Sequence, residues 1–259
     1  MTVVILCSLV SLLVSAHAPT QEPGRVRELI TQLAAPDPEA RTKAACALRE
    51  LGDDAAPALD ALVGLLSDGA PVEQSACGRR WTRWNADNRT SPGEQAASAL
   101  VSIGHRSVPQ LLRTLKSPSW IARRNAAWAL GALDDRRAGA PLIELLADPE
   151  PGVREQAAWA LGALDEPAAV SALVTALKDQ NPKVRSQAAW ALGAIDDRRA
   201  VDSLVQALTD TEGGVRSQSA WALGAIGDSR ALNALLPALK DPDAGVRRQA
   251  AWAIGVLSR

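Results

Sequence analysis

The chain contains no phenylalanine and no tyrosine, one methionine and two histidines. Without those rings, a core must be assembled from alanine, leucine, valine and isoleucine, which suits short helices packed closely together. Charge of one sign is also missing: 28 basic residues stand against 29 acidic ones. No net field therefore steers the chain to nucleic acid or to an anionic membrane, and no nucleic-acid partner is expected. Signatures of chemistry are missing as well. There is no HExxH, no CxxC pair, no glycine-rich phosphate loop and no His-Glu dipeptide. His105 reads as a solvated turn residue. The expectation is no catalytic residue, no metal site and no cofactor.

Long apolar runs are limited to the N-terminus, where residues 2–16 are almost all apolar and uncharged. The run falls short of the ~20 residues that a spanning helix needs. Ala16 and Ala18 follow in an A-x-A pattern, so residues 1–18 read as a secretory signal peptide. Two features depart from that pattern: no Lys or Arg precedes the run, and Pro19 follows Ala18. A retained anchor and a buried N-terminal helix are the other readings. Export to a periplasmic or extracellular space is expected if the leader is cleaved, and membrane anchoring otherwise, with no further span. Removing the leader leaves two of three cysteines, Cys46 and Cys77, an even number that in an oxidising compartment invites a disulfide.

What the chain does have is a strict period. Trp128, Trp159, Trp190, Trp221 and Trp252 stand 31 residues apart in one frame, from RRNAAWALGAL to RRQAAWAIGVL. A fixed period of this size marks a solenoid of stacked supersecondary units. Each unit holds two helical patterns, one around Ala200–Leu208 and one from about Val215 to Ile226, with polar turns between them. Asn181-Pro182 reads as an N-cap with proline at the first helical position, and Gly227 as a C-cap. Cys46 and Ser98 hold the tryptophan position in two earlier, decayed units, which makes seven helix pairs. The step between them is 52 residues, so one repeat carries an insert of roughly 20 residues, about 69–90.

Arg123, Arg154, Arg185, Arg216 and Arg247 lie five residues before each tryptophan, and Asp148, Asp179, Asp210 and Asp241 lie six before four of these arginines. They read as a charge ladder, pairing within a repeat or across to the next, that fixes stacking register. Partly buried bidentate pairs favour arginine over lysine. The other reading is an acidic-ligand site made by the arginines.

The frame VRxxAAxALGxI with its upstream Asp resembles the short HEAT-like repeats named after phycobilisome lyase subunits, over about residues 24–258. The resemblance implies an all-α, right-handed, armadillo-like solenoid occupying residues 19–258. It also implies a protein-interaction scaffold, because the family is mostly scaffolding proteins with a few enzymes. The HEAT-like hydroxylases hold iron through repeated His-Glu pairs, which this chain lacks, and a leader argues against a cytosolic bilin substrate for a lyase. An oxidoreductase, hydroxylase or lyase-type enzyme or enzyme subunit is the alternative function.

On a helical wheel Val184, Ala188, Ala191, Leu192 and Ile195 share one stripe, while Trp190 falls among Ser186, Gln187, Gly193 and Ala194 on the other side. The resemblance places these second helices on the concave face. Trp128, Trp159, Trp190, Trp221 and Trp252, with Gln156, Gln187, Gln218 and Gln249, then form a ladder suited to an extended protein or peptide partner of a monomeric scaffold. Two readings of the rings stand: partner binding, or packing over Ala and Gly of the adjacent repeat. The insert holds Arg79, Arg80, Trp81, Arg83 and Trp84, a basic and aromatic cluster that reads either as a binding loop or as a loop folded over one end of the groove. A Cys46–Cys77 bond would pin it there.

Overall fold

The computed structural model describes residues 23–77 and 89–258. Its helices fall into seven consecutive pairs: α1 (Pro23–Gln32) with α2 (Pro38–Leu51), α3 (Leu59–Leu65) with α4 (Pro92–Ile103), and α5 (Val108–Thr114) with α6 (Trp120–Ala132). Then come α7 (Gly139–Leu145) with α8 (Pro151–Ala163), α9 (Val170–Ala176) with α10 (Pro182–Ile195), α11 (Val201–Ala207) with α12 (Gly213–Ile226), and α13 (Leu232–Leu235) with α14 (Ala244–Leu257). Two-residue strands β1 (Val72–Glu73) and β2 (Arg89–Thr90) pair antiparallel at the base of the insert. The leader, residues 1–18, and the insert cluster Arg79, Arg80, Trp81, Arg83 and Trp84 lie outside the described residues. Among the described residues no helix is long and apolar enough to cross a membrane.

Local chemistry sets the helix ends. Prolines open α2, α4, α8 and α10, where the missing N–H costs nothing. Asp37, Ser91, Ser119, Asn181 and Asp243 accept hydrogen bonds from the free amides of the first turn. Gly227 ends α12 in the left-handed conformation, and Asp134, Asp165 and Asp196 take that conformation at the equivalent position of other repeats.

The core is a file of leucines at the repeat period. Leu130, Leu161, Leu192 and Leu223 come from second helices, and Leu142, Leu173, Leu204 and Leu235 from first helices, all fully buried. Alanines fill the spaces between them. Successive second helices pack closely on one another along the row, whereas successive first helices touch little. The stack therefore closes on the second-helix side. Four of the five wheel-stripe residues, Val184, Ala188, Ala191 and Leu192, are fully buried, and Ile195 nearly so. Burial also extends past that stripe to Ala189 and Gly193, because the neighbouring repeat covers a second side of the helix that a two-sided wheel leaves to solvent.

Candidate partner-binding groove

One groove crosses the second-helix row. Its volume is about 730 Å³ and it spans six helices, from Arg49 on α2 to Gln218 on α12. Trp128, Trp159 and Trp190 form its apolar wall, and Ser98, Ser186, Gln187 and Gln218 supply hydroxyls and amides. Trp221, Trp252 and Gln249 lie outside its lining. Gln156 departs from expectation: it is buried, and its Nε2 has no hydrogen-bond partner. Two other amides at the same repeat position are used internally. Gln95 Nε2 donates to Thr90 Oγ1 at 3.0 Å, and Asn125 Nδ2 donates to the Leu66 carbonyl at 2.9 Å. The amide row is thus internal at its N-terminal end and reaches the groove at Gln187 and Gln218.

Trp128, Trp159, Trp190 and Trp221 are half-buried and Trp252 is exposed, and a recurring glycine sets how the rings seat. Three residues after each ring in the sequence lies a helical glycine. A methyl added at Gly162 would lie 2.7 Å from Trp190 Cζ3 and 2.8 Å from Ala191 Cα. Gly131 stands in the same relation to Trp159 and Ala160, Gly193 to Trp221 and Ala222, and Gly224 to Trp252 and Ala253. The edges of Trp159, Trp190, Trp221 and Trp252 each fill a notch in the repeat before. Glycine inside a helix costs up to ~1 kcal/mol relative to alanine, so its return at every 31st residue was a readable sign of close approach. Val101 holds that position before Trp128, and it lines the groove instead. Trp120 stands apart from the ladder at the start of α6, with the Arg124 guanidinium 5.7 Å from its ring centre.

The arginine–aspartate ladder runs across repeats. Arg123 pairs with Asp148, Arg154 with Asp179, Arg185 with Asp210 and Arg216 with Asp241, each through Nε at 2.7 Å and Nη2 at 2.8 Å. The remaining nitrogen, Nη1, donates to carbonyls five and six residues earlier, as Arg154 does to Pro149 and Asp148. Each Asp Oδ1 also accepts a backbone N–H two residues on. One arginine thereby ties the turn of its own repeat to the turn of the next. Arg41 and Asp68 form the same bond at 2.7 Å in the first junction. The sequence hides that pair behind a 27-residue spacing, where the others keep 25. Arg247 is the exception. It donates only to its own repeat's Asp241 and Pro242 carbonyls and has no carboxylate partner among the described residues. A shorter ladder also recurs: Arg137, Arg199 and Arg230 fold back on Asp135, Asp197 and Asp228. The Arg230 side chain and backbone N–H lower the pKa of the buried Asp228 carboxyl to about 2. His105 is mostly exposed, with Nδ1 3.2 Å from Asp135 Oδ2.

Burial pushes Asp148, Asp179 and Asp210 up, but the arginine hydrogen bonds, backbone amides and nearby guanidinium charge outweigh it and leave all three below the ordinary carboxylate range. For Asp241 the Arg216 hydrogen bond is the leading cause of the same shift. A lowered folded-state pKa stabilises the fold above the unfolded value of ~3.9, and that contribution is lost as pH falls through the folded values. Urea midpoints should therefore decline steeply below about pH 4. Midpoints that hold steady to pH 2.5 would contradict a stabilising ladder.

Glu155 carries the opposite sign. It occupies the repeat position of Ser186, is half-buried, and has no hydrogen-bond or ion-pair partner among the described residues. Burial raises its pKa, and the charges of Lys183 and Arg124 offset this only in part. Its ionised form strains the fold, so Glu155→Gln should raise the urea midpoint at pH 7, with the gain shrinking as pH falls through the raised pKa. A midpoint lowered at pH 7 would refute this.

Cys46 and Cys77 are joined as a disulfide, with Cα atoms 5.8 Å apart across a sequence separation of 31. The bond ties the start of the insert to the ring position of the first repeat. In the chain-entropy model a loop of this size contributes ~3–4 kcal/mol. Reduction should lower the unfolding temperature, which calorimetry with and without reductant measures. Among the described residues no three His, Cys, Asp or Glu side chains converge as a metal site would require.

Paired helices in a stack, joined by recurring arginine–aspartate bonds, define an α-solenoid repeat protein. A model of HEAT repeats matches residues 93–150, 108–180, 139–220 and 170–255, and the chain belongs to the HEAT-repeat family. No curated protein matches it. Among solved structures it resembles the complex of CpcE and CpcF of phycocyanin lyase from Nostoc sp., at 23% identity and TM-score 0.50 over 94% of this chain and 96% of that one. It resembles a designed armadillo repeat protein in complex with a peptide, (KR)4, at 20% identity and TM-score 0.55 over 90% and 99%. Yeast importin-β (Kap95p) aligns at 14% identity and TM-score 0.61 over 88% of this chain, which spans only 36% of that protein. At these identities the likeness is one of fold.

Proposed function

We propose that the protein is a non-catalytic scaffold that holds an extended peptide segment of a protein partner in the tryptophan-lined groove. The observation that carries this reading is the groove itself: three half-buried indoles in file, flanked by hydroxyls and by the Gln187 and Gln218 amides. Tryptophan gives large contact area at low entropic cost and is enriched among binding hot spots. Side-chain amides can satisfy the main chain of an extended ligand, which otherwise loses hydrogen bonds on leaving water. The peptide complex of a designed armadillo solenoid supports the class of ligand. The disulfide suits an oxidising compartment, in keeping with an exported protein.

Panning a random peptide library on the purified protein tests the reading. Peptides should be enriched with micromolar affinity, and Gln187→Arg or Ser186→Arg should weaken them about tenfold or more, a loss of ~1.4 kcal/mol, with the unfolding temperature unchanged. Enrichment that ignores both substitutions would place binding elsewhere. Stoichiometric iron in the purified protein would favour the enzyme reading instead.

A further inference from the structure

We infer that the groove proposed above takes a proline-rich segment in the polyproline II conformation, with an acidic residue at its Arg49 end; the assignment rests on that groove being the binding surface. The spacing of the rings carries it. Trp128, Trp159 and Trp190 stand on α6, α8 and α10. Glycine notches let these helices touch: a methyl at Gly131 would lie 2.8 Å from Ala160 Cα, and one at Gly162 would lie 2.8 Å from Ala191 Cα. Packed helices lie ~8–10 Å apart, so the rings recur at that step. A polyproline II helix turns once in three residues of ~3.1 Å each, a repeat of about 9.3 Å. Every third side chain thus returns to the same face in step with the rings. A β-strand returns to the same face after two residues, ~6.7 Å, and falls out of step. An α-helix is ~10 Å across, and a length covering three rings would need roughly 1,500 Å³, about twice the 730 Å³ of the groove.

The polar groups agree. Proline has a carbonyl but no N–H, so a proline-rich segment brings many acceptors and few donors. The groove answers with donors: the Gln187 and Gln218 amides and, at the α2 end, the Arg49 guanidinium. Among the described residues no carboxylate lines it, and Arg49 is the one charged residue of the lining. The groove therefore carries positive charge at one end and no counter-charge for a basic peptide. An acidic residue of the occupant complements Arg49. Glu50, which pairs with Arg49 at 2.9 Å, is largely exposed, and exchanging a surface pair of that kind costs little. Four helix steps, ~32–40 Å, separate Arg49 on α2 from Trp190 on α10, the length of roughly ten to thirteen residues in this conformation. A backbone already set by proline loses little entropy on docking, which is how aromatic-lined grooves hold such segments.

The probe is a fluorescently labelled synthetic peptide of Pro-Ala-Ser units, about twelve residues long to match the groove, titrated into the intact protein. An aspartate closes each end, so that either chain direction meets Arg49. Saturable binding is expected, and Gln187→Arg, in mid-groove, should weaken it about tenfold. A peptide of the same composition with irregularly spaced prolines should bind about tenfold more weakly, and so should one with lysine in place of both aspartates. No binding up to about 1 mM, the weak end of measurable affinity, would overturn the proposal. So would equal affinity for regular and irregular prolines, or a preference for the lysine peptide. If library-selected peptides without a proline period bind in a Gln187-sensitive way while the proline peptide does not, the groove stands and this occupant is wrong. If neither kind of peptide responds to Gln187→Arg, both readings fall.

Discussion

Gly193→Ala will destabilise the stack, although alanine is the better helix former. In an isolated helix the change is worth up to ~1 kcal/mol in alanine's favour. Here the new methyl would sit 2.7 Å from Ala222 Cα, Ala222 Cβ and Trp221 Cζ3. The obstacle includes backbone, so helix α12 as a whole must move outward. Overpacking of that kind costs ~1–3 kcal/mol, and the movement also stretches the Arg185–Asp210 bond beside it. Gly255→Ala is the matched control. The frame is the same, but nothing lies within 4 Å, so the helical preference acts alone and stability should rise slightly. Urea denaturation of the two variants should give midpoints shifted in opposite directions. Equal shifts would mean that the notch does not set the stacking distance.

Arg185→Ala should have the largest effect of any single ladder substitution in the middle of the stack. It removes both bonds to Asp210 and the two carbonyl bonds to Asp179 and Gln180. It also leaves a carboxylate that is only 12% exposed without its counter-charge. Breaking one partner of a buried pair costs ~3–5 kcal/mol, and partial exposure places this case near the lower end of that range. Because stability in a repeat array is a sum of repeat and junction contributions, weakening one central junction should also split unfolding into two steps. Arg185→Lys should recover less than half of the loss, since a point charge replaces a fork. Arg247→Ala should cost little, having no carboxylate to abandon. A single cooperative transition for Arg185→Ala, at the wild-type midpoint, would contradict the ladder's role in stacking.

The solenoid was legible because one frame repeats without slipping from Trp128 to Trp252. The arginines and aspartates were legible for the same reason, although their direction across repeats was open until Arg154 could be seen reaching forward to Asp179. Packing of the rings over Ala and Gly of the adjacent repeat was one of the two readings the sequence offered, but the wheel alone sets Gly193 on the outward side, because it divides a helix into an inner and an outer side. A helix in a stack has two further sides against its neighbours, and Gly193 lies on one of them. Gln156 was grouped with Gln187 by position, yet the amide row is drawn inward toward the insert-bearing end, where Gln95 and Asn125 bond to Thr90 and Leu66. Periodicity cannot report that break, because Thr90 lies in the insert and Asn125 replaces the glutamine of the later repeats. The Arg41–Asp68 pair was missed for a related reason: its repeat has cysteine in place of the ring.

Trp159 and Trp190 thus serve two surfaces at once, with an edge in the preceding repeat's notch and a place in the groove wall. Indole N–H resonances of the protein, recorded by NMR as a library-selected peptide is added, test this most directly. The account predicts shifts at Trp128, Trp159 and Trp190, with Trp120 and Trp252 unmoved. Shifts confined to Trp120 and Trp252, with the groove indoles still, would contradict it.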